Sequence, residues 1–128
     1  MRRTFLRSKI HKCTLTGTFI NYEGSISIDE SLMESAGIMP YEQVQIVNIT
    51  NGERLTTYAI PVDSGSKRIE LNGAAARLGE KGDELSIMAF AEVEQDEINT
   101  HFCTVAIMME GSNTVKSVCN KPVVTTQA

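Results

Sequence analysis

Polar and apolar residues alternate with period two along much of this chain. Ser25-Ile26-Ser27-Ile28 alternates as a half-buried strand does. Val44 and Ile46 alternate with Gln43, Gln45 and Val47, and Leu85, Ile87 and Ala89 alternate within Glu84–Val93. Such spacing sends one set of side chains to a core face and the other set away from it. One segment follows a helical pattern instead. Asp29 is placed to cap a short helix over Glu30–Ala36, with Leu32, Met33 and Ala36 on its inner face. Gly37 ends that helix, and Pro40 follows soon after.

Turn chemistry divides the strands. Asn51-Gly52 is a tight-turn dipeptide, which predicts that Gln43–Ile49 and Glu53–Ile60 pair as a hairpin. Asp63–Lys67 reads as a loop and Arg68–Leu71 as a short strand. Asn72-Gly73 is a second turn signal, followed by one helical turn over Ala74-Ala75-Ala76. Lys81-Gly82-Asp83 turns the chain into Glu84–Val93, and the acidic stretch Glu92–Glu97 breaks that strand or leads out of it. Phe102–Met109 is apolar on both faces, the pattern of a fully buried strand or of one covered by another subunit. From Gly111 the chain turns polar, which predicts loosely held last residues. Short strands at regular spacing with few helices indicate a small β-barrel or sandwich, in a single domain over residues 1–128.

Composition narrows the function classes. Hydrophobic residues make up 41% and charged residues 22%, an ordinary globular balance. A net charge of -4 and the absence of Trp argue against a nucleic-acid partner, which would want a basic face and stacking platforms. The local basic run of Arg2, Arg3, Arg7, Lys9 and Lys12 reads as a solvated strand edge. Cys13, Cys103 and Cys119 are an odd count without CxxC spacing, so zinc and a disulfide framework are both disfavoured and idle thiols in a reducing cytosol fit better. There is no signal-like apolar leader and no apolar run long enough for a membrane span, so a cytoplasmic protein without a membrane partner is expected. Pattern alone stops at a soluble barrel-like domain.

The chemistry enters with Tyr22-Glu23-Gly24-Ser25. By itself Gly-Ser is a turn dipeptide, and Arg54, Lys9, Tyr58, His11 and His101 each have an ordinary surface or core reading. The context is Arg3-Thr4, Leu6 and Lys9-Ile10-His11 before it. After it come Asn51-Gly52, Arg54, Thr57-Tyr58-Ala59-Ile60, Gly65-Ser66, Asn72-Gly73-Ala74-Ala75-Ala76 and Gly82-Asp83. In this order and spacing, from Met1 to Phe90, the chain resembles the bacterial pyruvoyl-dependent aspartate 1-decarboxylase family, and past Glu92 the resemblance is weak.

The resemblance implies a mainly β fold, a double-psi β-barrel with short helices, assembled as a homotetramer with active sites between subunits. It implies a zymogen that cleaves itself between Gly24 and Ser25, giving residues 1–24 and 25–128. Ser25 would attack the Gly24 carbonyl, whose approach a side chain would hinder, and the ester would eliminate to leave a covalently bound pyruvoyl group derived from Ser25. Thr57 would hold the oxyanion, with Asn72 also near the cleavage site. That group would form a Schiff base with L-aspartate and act as the electron sink, without metal or pyridoxal phosphate. The products would be carbon dioxide and β-alanine, supplying pantothenate biosynthesis.

By the same resemblance Tyr58 donates the proton, and Arg54 and Lys9 grip substrate carboxylates. His11 shares a strand face with Lys9. Ala74 and Ala75 line the pocket, and Tyr22, Thr57, Asn72 and Gly73 also belong to the substrate site. On a regular strand Arg54 and Tyr58 share a face that Thr57 does not, so a twist, bulge or strand end is required there. Val47 stands where some family members carry Trp, in a pocket wall or in the packing. Two other readings stand beside this one. They are a non-catalytic barrel that binds a ligand and never cleaves, and a pyruvoyl decarboxylase for another amino acid, glutamate first.

Overall fold

The computed structural model describes residues 1–124. Its strands are β1 (Arg2–Thr14), β2 (Gly17–Phe19), β3 (Ser25–Asp29), β4 (Gln43–Asn48), β5 (Arg54–Val62), β6 (Ile69–Asn72), β7 (Glu84–Glu94), β8 (Phe102–Met108) and β9 (Val115–Pro122). One α-helix, α1 (Glu30–Ala36), follows β3, and 3-10 turns cover Gly73–Leu78 and Gln95–Thr100. The strands hydrogen-bond in the order β2-β6-β3-β5-β4-β7-β1-β8-β9, with parallel pairs β2/β6, β3/β5 and β1/β8 among antiparallel ones. The linker from β1 to β2 joins the two halves. Leu15 N–H donates to Asp83 O at 2.8 Å and Thr16 N–H to Ile69 O at 2.7 Å. The result is a double-psi β-barrel with short helices, the architecture expected.

The apolar positions read from the sequence are the ones that face the core, but β3 is buried on both faces, with Ser25 and Ser27 covered as well, rather than half-buried. Ile26 and Ile28 of β3, Val44 and Ile46 of β4, and Leu85, Ile87 and Ala89 of β7 meet in one core with Ile10, Leu15, Ile69 and Leu71. Each buried Ile or Leu contributes roughly 1.5–3 kcal/mol through loss of apolar surface to water. The hairpin β4/β5 forms in regular register, Val44 opposite Thr57 and Val47 opposite Arg54.

Helix α1 starts and stops where its sequence requires. The Asp29 carboxylate accepts Ser31 N–H at 2.8 Å and the Ser31 hydroxyl at 2.7 Å. Gly37 closes the helix at φ +75, a backbone that favours glycine, and Ile38 N–H returns to Met33 O at 2.9 Å. Asp29 also accepts Gly65 N–H at 3.0 Å and Lys67 N–H at 2.7 Å, so one carboxylate ties the loop before β6 to the start of α1. Burial pushes the Asp29 carboxyl up. The Ser31 hydroxyl and the N–H groups of Lys67, Gly65 and Ser31 outweigh it and hold the group below its ordinary value.

Several expectations need correction. The basic run is only partly on a sheet edge: Arg2 and Arg3 are exposed and pair with β7 on one side alone, whereas Lys9 lies between β7 and β8. Arg2 there pairs with Glu92 and Glu94, and Arg7 with Glu42. The expected strand at Phe102–Met109 is not fully buried. Phe102 is 50% exposed; Ala106 and Met108 face the core, and Val105 on the opposite face is covered too. The polar segment after Gly111 contains a whole strand, β9, which pairs with β8 despite its polar side chains. The expectation of loosely held last residues falls on residues 125–128, outside the described residues. The acidic stretch leads out of β7 into the turn at Gln95–Thr100, where Glu94 and Glu97 cap each other.

Candidate active site

Ser25 opens β3, directly opposite Asn72 at the end of β6. It is fully buried, and Asn72 is 2% exposed. The Asn72 amide donates to Ser25 Oγ at 3.0 Å and to Ser27 Oγ at 2.9 Å, while the Ser25 hydroxyl donates to Glu23 O at 3.1 Å. A buried amide with two hydroxyl partners cannot turn away without leaving polar atoms unpaired. Asn72 therefore fixes where Ser25 Oγ sits relative to the bond preceding it.

A second glycine beside the bond has a steric requirement of its own. A Cβ on Gly24 would meet nothing within 4 Å, and Gly24 is not among the residues with positive φ. Gly73 has φ +67, and a Cβ there would stand 2.7 Å from Gly24 Cα and 2.8 Å from Gly24 N. Gly73 thus seats the Gly24 backbone against the turn after β6.

The parallel ladder of β3 and β5 pairs Ile26 with Ala59. Continued toward the chain start, that register sets Ser25 beside Tyr58 and Gly24 beside Thr57. The β4/β5 ladder runs through Arg54–Tyr58 without a bulge. Thr57 points to the face of Ala59, and Arg54 and Tyr58 to the opposite face. The anticipated bulge or strand end is not found there, because β5 runs from Arg54 to Val62 without a register shift, and it is β3 that begins, at Ser25, alongside it. Among the described residues the Thr57 hydroxyl has no protein partner.

On the non-core face of β3 and β6 lies a pocket of about 270 Å³, bordered by Ser27, Asn72, Tyr22, Phe19, Ile60, Arg68 and Glu70. Tyr22 is 65% exposed and forms its outer lip. Arg68 and Glu70 make a two-point ion pair there, at 2.8 and 3.1 Å. Ser27, Arg68 and Glu70 were not singled out in the sequence. The only available signal was period two from Ser25 and from Asn72. Ala74 is exposed and Ala75 buried on the turn following Gly73.

Lys9, His11 and Arg54 are not gathered around Ser25. Lys9 pairs with Met88, which pairs with Gln45, which pairs with Thr56 of β5. Lys9 is thus three strand spacings from β5, roughly 14 Å at about 4.8 Å per strand. All three residues do share the outer face of that sheet with Tyr58. Val47 lies directly opposite Arg54 on the same face, which makes it a neighbour of Arg54 rather than a core residue. His11 is half-buried with Nδ1 unpaired, and burial, then Lys9 and Lys12, hold its pKa below the ordinary value. His101, read as a surface residue, is half-buried and donates from Nε2 to Leu6 O at 3.0 Å. Burial pushes the Cys13 thiol up to about 12, which makes it inert. The described residues contain no cluster of side chains suited to a metal, and no helix long and apolar enough to cross a membrane.

The residues at Ser25 fit a prosthetic group made from that serine, with a positioned hydroxyl, open space at Gly24 and an amide donor alongside. Comparison with known proteins shows the family. The sequence matches the family described as aspartate decarboxylase over residues 1–116, further along the chain than Phe90. It is 62% identical over 98 residues to an aspartate 1-decarboxylase of Acaryochloris marina, covering 77% of this chain and 75% of the relative. A Trichormus variabilis protein of the same name is 56% identical over 110 residues, covering 86% and 87%. One from Maricaulis maris is 46% identical over 115 residues, covering 90% and 95%. With the match spanning nearly the whole barrel, site included, this chain belongs to the aspartate decarboxylase family.

Proposed function

We propose that this protein removes the α-carboxylate of L-aspartate as carbon dioxide and yields β-alanine, the precursor for pantothenate, after breaking its own Gly24–Ser25 bond. The observation that supports self-cleavage most directly is the buried Asn72 amide on Ser25 Oγ beside a Gly24 backbone seated on Gly73. Ser25 Oγ attacks the Gly24 carbonyl carbon, and the amide becomes an ester with Gly24 as its acyl part. The Thr57 hydroxyl, free of other protein partners, supplies a hydrogen bond to the oxyanion. Elimination across Cα–Cβ of residue 25 then releases the 1–24 carboxylate. Tautomerisation and hydrolysis release ammonia and leave a pyruvoyl end on 25–128.

When formed, the pyruvoyl group supplies an electron sink bonded to the substrate nitrogen, so neither metal nor pyridoxal phosphate is needed. The chain's residues do the rest. Tyr58, next to residue 25 across the β3/β5 ladder, holds a proton for the substrate carbon. Arg54 pairs with a carboxylate, and Lys9 and His11 supply further polar contact. Gly73, Ala74 and Ala75, on the turn after Asn72, add little side-chain bulk and supply backbone N–H groups near the site, and Tyr22 closes its lip.

Lys9 and His11 lie across the sheet from Tyr58 within one protomer, which supports a homotetramer whose sites form where outer faces meet. Exposed Phe90 and Phe102, 42% and 50%, supply apolar surface for such contacts. A cytoplasmic location fits an enzyme acting on a free amino acid. Intact mass and denaturing electrophoresis after warming test the reading. Two fragments broken after Gly24 are expected, and a chain that stays whole sinks it.

A further inference from the structure

We propose that Tyr41 is a positioning residue for Tyr58, holding the proton-donating ring in one orientation. This rests on the reading of Tyr58 as the proton donor. The two rings stack, with centroids 6.0 Å apart and planes 22° from parallel. That lies within the range of favourable offset aromatic pairs. Tyr58 projects from the outer face of β5, where no core packing selects its rotamer. A phenol that must deliver a proton to one carbon needs a fixed direction.

The backbone shows that Tyr41 is held there at a cost. Its φ is +67, a region that bulky L-residues rarely occupy and that glycine or asparagine would fill more easily. Burial does not explain the choice, because Tyr41 is 73% exposed. The turn is clipped onto β5 by two bonds to Ala59, the residue after Tyr58. Tyr41 N–H donates to Ala59 O at 2.7 Å, and Ala59 N–H donates to Glu42 O at 3.0 Å. The Glu42 carboxylate accepts Met39 N–H at 3.0 Å and pairs with Arg7, whose guanidinium also donates to Gly37 O at 2.8 Å. A strained, exposed aromatic anchored by these bonds has one evident contact to serve, the Tyr58 ring.

The test uses Tyr41→Gly, Tyr41→Phe and Tyr58→Phe in the full-length, matured protein. Tyr41→Gly relaxes the positive φ, so it should unfold in urea no earlier than the native protein. Its kcat should fall about three- to ten-fold with KM for aspartate unchanged, because the lost stacking acts on the proton donor. Tyr41→Phe keeps the stack and should restore native kcat. Native kcat in Tyr41→Gly, a Phe variant no better than Gly, or a loss carried by KM would each overturn the positioning role. Tyr58→Phe separates the two readings. If it is inactive while Tyr41→Gly is native, the positioning role alone fails. If it keeps native kcat, the proton-donor assignment fails and the positioning role with it.

Discussion

Gly73 and Gly24 meet backbone to backbone, so closely that a methyl group on Gly73 would lie 2.7 Å from Gly24 Cα. The neighbour it would strike is main chain, which cannot swing aside. Gly73→Ala combines this clash with a strained positive φ, itself worth about 1–2 kcal/mol. We expect that variant to displace the Gly24 peptide and slow self-cleavage more than ten-fold. Intact mass followed over time measures this. Gly24→Ala meets open space and should cleave far better than Gly73→Ala, and the reverse order would contradict the geometry.

Among the described residues Asn72 is the donor to two buried hydroxyls, those of Ser25 and Ser27. Asn72→Ala leaves Ser25 and Ser27 with unmet polar atoms, at a cost of about 1–3 kcal/mol. Stability in urea should drop by that amount, and processing should slow in the same preparation. Ser25→Ala should give a stable, uncut and inactive chain. Cleavage at the same bond in that variant would refute serine attack.

Arg54 sits on the outer face of β5, away from the Ser25–Asn72 pair. Arg54→Ala should therefore mature normally and yet turn over aspartate at least a hundred-fold less efficiently, from the loss of a charged contact worth roughly 3 kcal/mol. Fragment yield and kcat/KM are read on the same sample. Unaltered turnover would remove Arg54 from the site. A panel of aspartate and glutamate belongs in this assay, because one methylene alone gives only about 1–3 kcal/mol of discrimination.

The carboxylate of Asp29 accepts four hydrogen bonds in the fold. Its folded pKa lies below the unfolded value, so its contribution is present above about pH 4 and is lost as pH falls through the lower folded value. Asp29→Ala should lose about 2–4 kcal/mol at neutral pH and show a flatter acid limb in urea midpoints. An unchanged acid limb would assign that limb to other carboxylates.

His11 titrates in the same sense for a different cause. Burial and the neighbouring Lys9 and Lys12 lower its folded pKa, so the unfolded chain binds the proton more readily. Stability should fall as pH drops below about 6.5 toward the folded value. His11→Gln should abolish that part of the slope, and a slope that persists would exclude His11 as its source.

Legibility followed physical locality. Helix α1 was readable because Asp29 and Gly37 act within a few residues of where they stand, and the hairpin because Asn51-Gly52 fixes its own turn. Strand β9 was not, since its polar side chains carry no alternation and its pairing comes from β8. The pairing of Ser8–His11 with β8 was hidden, because the partner strand lies far along the chain. The close contact that Gly73 makes with the Gly24 backbone was not legible either, because spacing names a glycine without saying what presses on it. Tyr41 gave no signal at all, since its φ and its contact with Tyr58 exist only once the turn is clipped to β5.

Strand β1 has a role beyond carrying Lys9 and His11. It is bonded to β7 along one side and to β8 along the other, and the Asn113 side chain grips both the N–H and the C=O of Thr14. A break after Gly24 would therefore free an end without freeing a piece. The small fragment would stay as an inseparable stave of the barrel, withstanding dilution and gel filtration and parting only on denaturation. Maturation would then change the covalent connectivity of the molecule while leaving its shape in place.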